Sequence, residues 1–160
     1  MTVLSMVLSD NAQLFLRKVT ADDMEVILQW RNDIESRRNS FNDKTISLSE
    51  HRNWFLRKQA DPGCYMYILM DREVRAGSIR VDLEDNIGEI SFVIAPSMRG
   101  RGYGKAIIRL LEDTLPQGPA VLIGMVKDFN VASQKCFLSN GFSSFACGEA
   151  SVFVKLLMQP

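Results

Sequence analysis

The chain has 160 residues, enough for one domain with a substantial core and too few for two of ordinary size. Lysine plus arginine and aspartate plus glutamate both number 19, and this zero formal charge argues against bulk attraction to nucleic acid or an anionic membrane. The 3 cysteines include no CxxC pair, so we expect reduced thiols, no disulfide framework and no bound metal. The first residues do not read as a signal peptide and no apolar run approaches membrane-helix length, so we expect one cytoplasmic domain over residues 1–160.

The first third of the chain predicts one strand and two helices. The alternation in LFLRKVT, residues 14–20, is typical of a strand. Thr20, with Asp23 at the third helical position, predicts the cap of the helix ADDMEVILQWRND. Ser47 and Glu50 have the spacing of a capping box, which predicts that a second helix begins there.

Three strands, a glycine-rich turn and the remaining elements follow. The segments YMYILM, VRAGSIRVDLE and IGEISFVIA are separated by short polar breaks, which predicts an antiparallel meander. After Pro96 come the glycine-rich stretch, the helix GKAIIRLLEDTL, the buried-type strand AVLIGMV and the helix VASQKCFLSN, which stops at Gly141. The segment FSSFACGEASVFVKLLM predicts a closing hairpin. The order β-α-α-β-β-β-α-β-α-β-β indicates a mixed α/β domain around a central sheet.

The glycine-rich stretch MRGRGYGKAI predicts an anion site. The first N–H groups of a helix lack internal partners, and the helix dipole favours negative charge there. Glycine lets a phosphate approach the backbone closely and permits a positive φ. The stretch is not a Walker A loop, because Ala106 follows Lys105, and its GxGxG spacing is not the GxGxxG of a dinucleotide fold. Arg99, Gly102 and Gly104 match the pattern RxxGxG.

The sequence RGRGYG, between a strand and an amphipathic helix, resembles the acetyl-CoA motif of the GNAT superfamily of N-acetyltransferases. The segment NVASQKCFLSNGF is similar to a second motif of that family, NxxSxxxYxxxGF, and the strand order fits across nearly the whole chain. The resemblance implies the GNAT fold, a central mostly antiparallel sheet flanked by about four helices, and an acyltransferase that uses acetyl-CoA. The cofactor residues that it implies are Phe92, Val93, Ile94, Arg99, Gly100, Arg101, Gly102, Tyr103, Gly104, Lys105, Asn130, Ser133 and Phe137.

Acetyl transfer requires a neutral amine, a polarised carbonyl and a proton or positive environment for the leaving thiolate. The resemblance implies that backbone groups near Val93 pair with the pantetheine arm and polarise the carbonyl. It also implies that Glu89 is a candidate general base in a half-buried cleft, with a solvated strand-end glutamate as the alternative. Phe137 departs from the family pattern, because a tyrosine often stands there to protonate the thiolate. The acid is therefore unassigned, and a non-catalytic CoA-binding module is an alternative.

We expect the N-terminal third to select the acceptor, because the cofactor motifs occupy the second half. Aromatic, arginine, asparagine and histidine side chains suit a nucleotide or a sugar through stacking and hydrogen bonds. The candidates are Trp30, Arg31, Asn32, His51 and Trp54. Core packing is the favoured alternative for each tryptophan. His51, the only histidine, is a candidate base or hydrogen-bond donor, with a packing or surface role as its alternative.

The segments LQWRND, IS…EH…WF, GSIRVD and EISFVIAP resemble the GNAT enzymes of nonulosonic-acid pathways, such as pseudaminic acid biosynthesis. Those enzymes acetylate the 4-amino group of a UDP-linked amino-deoxy sugar, so the resemblance implies a small-molecule amine acceptor and no nucleic-acid or membrane partner. A RimJ/RimL-like protein N-acetyltransferase is the nearest alternative. Arg31, Arg37, Arg38 and Arg52 favour the nucleotide sugar. We expect a monomer or a homodimer.

Overall fold

The structure, a computed structural model, describes residues 13–116 and 118–157. Residues 1–12, for which the sequence predicts no signal peptide, lie outside the described residues. In the described part of the chain, one sheet of 7 strands has the order β1-β2-β3-β4-β5-β7-β6. The strands are β1 (Leu14–Lys18), β2 (Cys64–Asp71), β3 (Val74–Glu84), β4 (Ile87–Ile94), β5 (Val121–Lys127), β6 (Ser143–Cys147) and β7 (Ala150–Leu156). Among the described strands only β4 and β5 pair in parallel, which confirms the predicted mixed α/β fold and its antiparallel meander.

Helices flank this sheet, and the described ranges contain one more than the sequence predicts. They are α1 (Met24–Asn32), α2 (Ile34–Asn39), α3 (Leu48–Ala60), α4 (Tyr103–Thr114) and α5 (Val131–Leu138). The unpredicted helix is α2, whose 6 residues bury no side chain, so no hydrophobic periodicity indicates it. It begins where Asp33 turns the chain away from α1 and accepts hydrogen bonds from the N–H groups of Glu35 and Ser36.

Both predicted capping boxes are present. The N–H of Thr20 donates to the Asp23 carboxylate at 2.8 Å, at the start of a 3-10 turn that continues into α1. The hydroxyl of Ser47 accepts from the N–H of Glu50 at 3.2 Å and starts α3. The longest described helix, α3, has 13 residues, and across residues 13–116 and 118–157 no helix combines the length and the apolar character that a membrane crossing needs.

The two faces of the sheet carry separate cores, because alternate residues of a strand point to opposite faces. On one face, α4 buries Ile107, Ile108 and Leu111. On the other, α1 and α3 bury Trp30 and Phe55. The side chain of Trp30 is only 7% exposed and packs in this second core, as its packing alternative describes, and its contact with substrate stays a prediction.

The parallel strands β4 and β5 separate soon after they meet. Their pairing covers Ile87–Glu89 on β4 and Val121–Ile123 on β5. Beyond Glu89, β4 continues to pair with β3 and β5 continues to pair with β7. A gap therefore opens in the middle of the sheet, next to the glycine-rich turn that follows β4.

Candidate cofactor and acceptor cavities

The gap between β4 and β5 exposes backbone groups of β4. Alternate residues of an antiparallel strand direct their backbone groups to opposite edges, and Ala95 donates its N–H to the Ala76 carbonyl on β3 at 2.8 Å. The backbone groups of Phe92 and Ile94 therefore face the gap, whereas those of Val93 face β3. Two of the three strand residues that we expect along the cofactor are placed to pair with an extended ligand.

A cavity of about 600 Å³ opens in this gap, and we call it the cofactor cavity. It lies between the end of β4, the glycine turn, α4, β5 and α5. The predicted cofactor residues that line it are Phe92, Val93, Ile94, Arg99, Gly100, Gly102, Tyr103, Gly104, Lys105, Asn130, Ser133 and Phe137. Arg101 is exposed and is not among the residues that line the cavity, so its part in cofactor binding stays a prediction.

The glycine turn is open where an anion would sit. Gly100 and Gly102 have φ values of 75° and 82°, in the left-handed region that side chains rarely adopt. A Cβ added at either glycine would meet no atom within 4 Å. Gly102 is the N-cap of α4, whose first N–H groups lack partners within the helix. The turn therefore fits a phosphate group held by the backbone.

Gly104 has a different role from the other two glycines. A Cβ added there would lie 2.6 Å from Cys136 Sγ on α5. Glycine at this position lets α4 and α5 approach each other closely, which is a packing role that the sequence analysis does not predict. Its backbone still belongs to the first turn of α4 at the cavity wall.

The guanidinium of Arg99 is held by acidic and hydroxyl side chains at the start of α2. Its Nη2 donates to Asp33 at 2.7 Å and to Ser36 at 2.9 Å, and its Nη1 donates to Glu35 at 2.9 Å. The hydrogen bond from Arg99 lowers the pKa of Asp33. Arg99 therefore ties the glycine turn to α2 and also lines the cofactor cavity, so its part in cofactor binding stays a prediction. Lys105 lines the cavity and pairs with no carboxylate in the described part of the chain.

Two further residues of the cofactor wall are fixed by local hydrogen bonds. The hydroxyl of Tyr103 donates to Asp71, and this bond raises the pKa of the tyrosine. Asn130 caps α5 by accepting from the N–H of Ser133 at 3.3 Å, and its amide donates to the Ser133 hydroxyl at 3.1 Å. Ser133 therefore lies at the start of α5 and faces the cavity.

Phe137 forms the floor of the cofactor cavity. Its side chain is 2% exposed and contacts the rings of Phe92, Phe142 and Phe153 at centroid distances of 5.9, 5.1 and 5.3 Å. A Cβ added at Gly124 would lie 2.3 Å from Phe137 Cζ, so the ring packs directly on the backbone of β5. The ring provides apolar packing at the cavity and no proton.

A second cavity of about 670 Å³ lies beside the first, and we call it the acceptor cavity. The walls come from α1, α3, the segment between α2 and α3, and the faces of β3 and β4. The two cavities share the residues Arg31, Ser40, Phe41, Ser91, Phe92 and Val93. They therefore meet at the separated part of β4.

Arginine and tryptophan side chains make part of the acceptor cavity wall positively charged and aromatic. Trp54 lies in the wall, and the Arg80 guanidinium stacks over its ring at 5.0 Å. Arg31 donates to the Ser40 hydroxyl at 2.6 Å. Burial, and then the positive charge of Arg80, lower the pKa of Arg31. The predicted placement of Arg31 and Trp54 agrees with this cavity.

The side chains of His51 and Asn32 both make hydrogen bonds to backbone groups within the protein. His51 lines the acceptor cavity but is only 3% exposed, and its Nε2 lies 2.8 Å from the Met24 carbonyl. Burial lowers the pKa of His51, so the ring is neutral. The amide of Asn32 donates to the Ile46 carbonyl and accepts from the Ile46 N–H. Asn32 therefore holds the segment before α3 in place and is not among the residues that line either cavity, so its contact with substrate stays a prediction.

Glu89 is not among the residues that line either cavity. It is exposed, at the end of β4 that pairs with β5, and it lines neither wall. The half-buried cleft that we expect for a general base is therefore absent at this position, and the solvated alternative describes its setting.

Several residues that line the acceptor cavity were not predicted from the sequence, among them Arg80, Ser40 and Phe41. Ser78 and Arg80 alternate with buried Ile79 and Val81 on β3, and this period of two indicates a polar stripe on the acceptor face. Ser40 and Phe41 lie in the irregular segment after α2, where no periodicity applies.

Comparison with known proteins places the chain in a family. Residues 13–143 match the model of the acetyltransferase (GNAT) domain. An uncharacterized N-acetyltransferase, YfmK, of Bacillus subtilis (strain 168) is 24% identical over 123 residues, which cover 76% of this chain and 79% of that protein.

Solved structures share the fold at lower identity. Spermidine N-acetyltransferase from Vibrio cholerae, in complex with CoA and spermine, superposes with a TM-score of 0.80 at 18% identity, covering 91% of this chain and 96% of that chain. Ribosomal-protein-alanine N-acetyltransferase from Brucella melitensis superposes with a TM-score of 0.74 at 20% identity, covering 89% of this chain and 99% of that chain. On the match to the domain model, the chain belongs to the GNAT acetyltransferase family.

Proposed function

We propose that this protein is an acetyl-CoA-dependent N-acetyltransferase whose acceptor is the primary amine of a small molecule. Our candidate is the 4-amino group of a UDP-linked amino-deoxy sugar. The observation that carries the proposal is the meeting of the two cavities along Ser91, Phe92 and Val93. An acetyl donor on one side and an amine on the other would come together at this shared wall.

The residues of the cofactor cavity suit acetyl-CoA. The N–H groups of Phe92 and Ile94 are free to hold a carbonyl oxygen and to stabilise the negative charge that develops on it. The turn at Gly100 and Gly102 is suited to hold phosphates, with Lys105 beside it. When bound, acetyl-CoA supplies a thioester carbon that is open to attack by an amine.

The residues of the acceptor cavity favour a neutral amine. Positive charge on Arg31 and Arg80 disfavours the ammonium form of a nearby amine. His51 donates from Nε2 to the Met24 carbonyl, so its neutral ring keeps Nδ1 as an acceptor, and no described residue occupies that nitrogen. We assign His51 as the candidate proton acceptor in preference to Glu89, because His51 lines the cavity.

Two alternatives have specific features behind them. A protein N-acetyltransferase needs an open groove with acidic residues for a cationic terminus. In the described acceptor wall the one carboxylate is Glu50, which accepts from the Ser47 N–H at 3.1 Å. A non-catalytic CoA-binding module is the second alternative, and its support is Phe137 in place of tyrosine.

The test is release of the CoA thiol from acetyl-CoA with a panel of acceptors. The panel holds a UDP-linked 4-amino-4,6-dideoxy sugar, the free amino sugar, spermidine, and peptides with a free N-terminus or lysine. The proposal expects the fastest release with the nucleotide sugar. Release with peptides alone would establish protein acetylation, and CoA binding without release from any acceptor would establish the non-catalytic module.

A further inference from the structure

We propose that Arg31 and Arg80 form an oxyanion subsite that selects amines carrying a phosphate or carboxylate group. The inference rests on the proposed function, because the anion is taken to belong to the acceptor. It adds a property that the family match does not give. The acceptor is an amine with an attached anion, and these two arginines recognise the anion.

The positive charge of Arg31 has no counter-charge among the described residues. Its guanidinium is half-buried, and its one hydrogen bond is to the neutral hydroxyl of Ser40 at 2.6 Å. No carboxylate of residues 13–116 or 118–157 forms an ion pair with it. Burying a charge without a counter-charge is unfavourable, and proteins accept this cost where a ligand supplies the missing partner. The Nε and Nη2 donors of Arg31 remain available to that ligand.

Three contacts hold the Arg80 guanidinium in place. Its Nε donates to Asp82 at 2.8 Å, its Nη2 donates to Ser91 at 3.3 Å, and its Cζ lies over the Trp54 ring, 5.0 Å from the centroid. A guanidinium fixed on three sides loses little freedom when it binds an anion. Asp82 also pairs with Lys58 at 2.8 Å, so this carboxylate is shared between two cations.

Arg31 and Arg80 lie where the two cavities meet. Arg31 lines both cavities, and Arg80 contacts Ser91, which lines both as well. An anion held there lies at the junction, beside the point where the amine would meet the acetyl group. A planar guanidinium pair recognises two oxygens at once, which suits phosphate and carboxylate. A polyamine acceptor, which is cationic throughout, would be repelled from the same place.

The experiment is isothermal titration calorimetry of two anions into protein saturated with CoA, so that the cofactor's own phosphate positions are filled. UDP represents a phosphate source, and succinate represents a carboxylate source. The variants are Arg31→Gln, Arg80→Gln and the charge-retaining Arg31→Lys. Arg109→Gln is the matched control, because Arg109 is an exposed arginine on α4 that lines neither cavity.

We expect at least one anion to bind the wild type, with binding at least 10-fold weaker in Arg31→Gln and in Arg80→Gln and unchanged in Arg109→Gln. Arg31→Lys should lose less anion affinity than Arg31→Gln, because lysine keeps the positive charge. This comparison separates the effect of the lost charge from an effect on folding. Failure of both anions to bind the wild type, or equal binding by all variants, would overturn the subsite. If CoA itself does not bind, the proposed function fails, and the same titration without CoA judges the subsite alone.

Discussion

The cofactor cavity and the acceptor cavity share a wall at β4, but they are built from different parts of the chain. The cofactor cavity depends on backbone: a strand that leaves its neighbour, two glycines at positive φ, and the first turn of α4. The acceptor cavity depends on side chains, chiefly Arg31, Trp54 and Arg80. A site made of backbone tolerates changes in side chains but not in glycine, whereas a site made of side chains changes its ligand with each substitution.

The largest effect is expected at the glycine turn. Gly102→Val fills space that is open within 4 Å and forces a side chain into a φ of 82°, so CoA binding should weaken at least ~100-fold by calorimetry. Gly148→Val is the matched control, because Gly148 also has a positive φ and open space but lines neither cavity. Equal loss of CoA affinity in both variants would show that backbone strain alone explains the effect.

The next effect separates Gly104 from Gly102. Gly104→Ala should lower the free energy of unfolding by about 1 kcal/mol, because the new Cβ meets Cys136 Sγ at 2.6 Å. In a Cys136→Ala background the same change should become neutral or stabilising, since alanine favours a helix more than glycine does. Urea denaturation of the four proteins measures this cycle. Independent, additive effects would mean that the two residues do not constrain each other.

A smaller effect is expected at the bond between the glycine turn and α2. A double-mutant cycle of Arg99→Gln and Asp33→Asn should give a coupling of about 0.5–1 kcal/mol, as a partly exposed ion pair does. Asparagine keeps the helix cap, so the cycle isolates the charge. The CoA affinity of Arg99→Gln should stay within ~3-fold of the wild type. A 10-fold loss of CoA affinity in Arg99→Gln would show that the Arg99 side chain takes part in binding the phosphates of CoA.

The smallest effect is the pH dependence of His51. Burial lowers its pKa in the folded protein, so the unfolded chain binds the proton more readily. The free energy of unfolding should therefore not depend on the protonation of His51 above about pH 6.5, and it should fall as the pH drops below that value. Melting temperatures from pH 5 to 7.5 should show this slope in the wild type and a reduced slope in His51→Gln. Because the chain has 1 histidine, its NMR titration is unambiguous, and a pKa above 6.5 would contradict the burial argument.

The same difference explains what could be predicted from the sequence. Gly100 and Gly102 indicate their own function, because few other residues adopt their φ values, and the capping boxes at Thr20 and Ser47 indicate the starts of two helices. The family match to residues 13–143 bears out the predicted acyltransferase class, and the Vibrio cholerae structure with CoA agrees with the predicted cofactor. The UDP-linked sugar stays a proposal.

The directions of side chains could not be predicted. A run such as WRND does not show that Trp30 packs in the core, that Arg31 faces a cavity and that Asn32 braces a loop. Arg99 matches the motif by type, yet its guanidinium is held by acids more than sixty residues earlier in the chain. Glu89 occupies the expected strand but lies at its paired, exposed end.

The most direct test of the account is the ratio of kcat/KM for two acceptors, a UDP-linked 4-amino sugar and spermidine, measured by CoA thiol release. We expect a ratio above ~10 in favour of the anionic acceptor for the wild type. We also expect the ratio to fall towards one in Arg31→Gln and to be unchanged in Arg109→Gln. Spermidine as the better acceptor of the wild type, or a ratio that Arg31→Gln leaves intact, would contradict the claim that side chains of the acceptor cavity select an anionic amine.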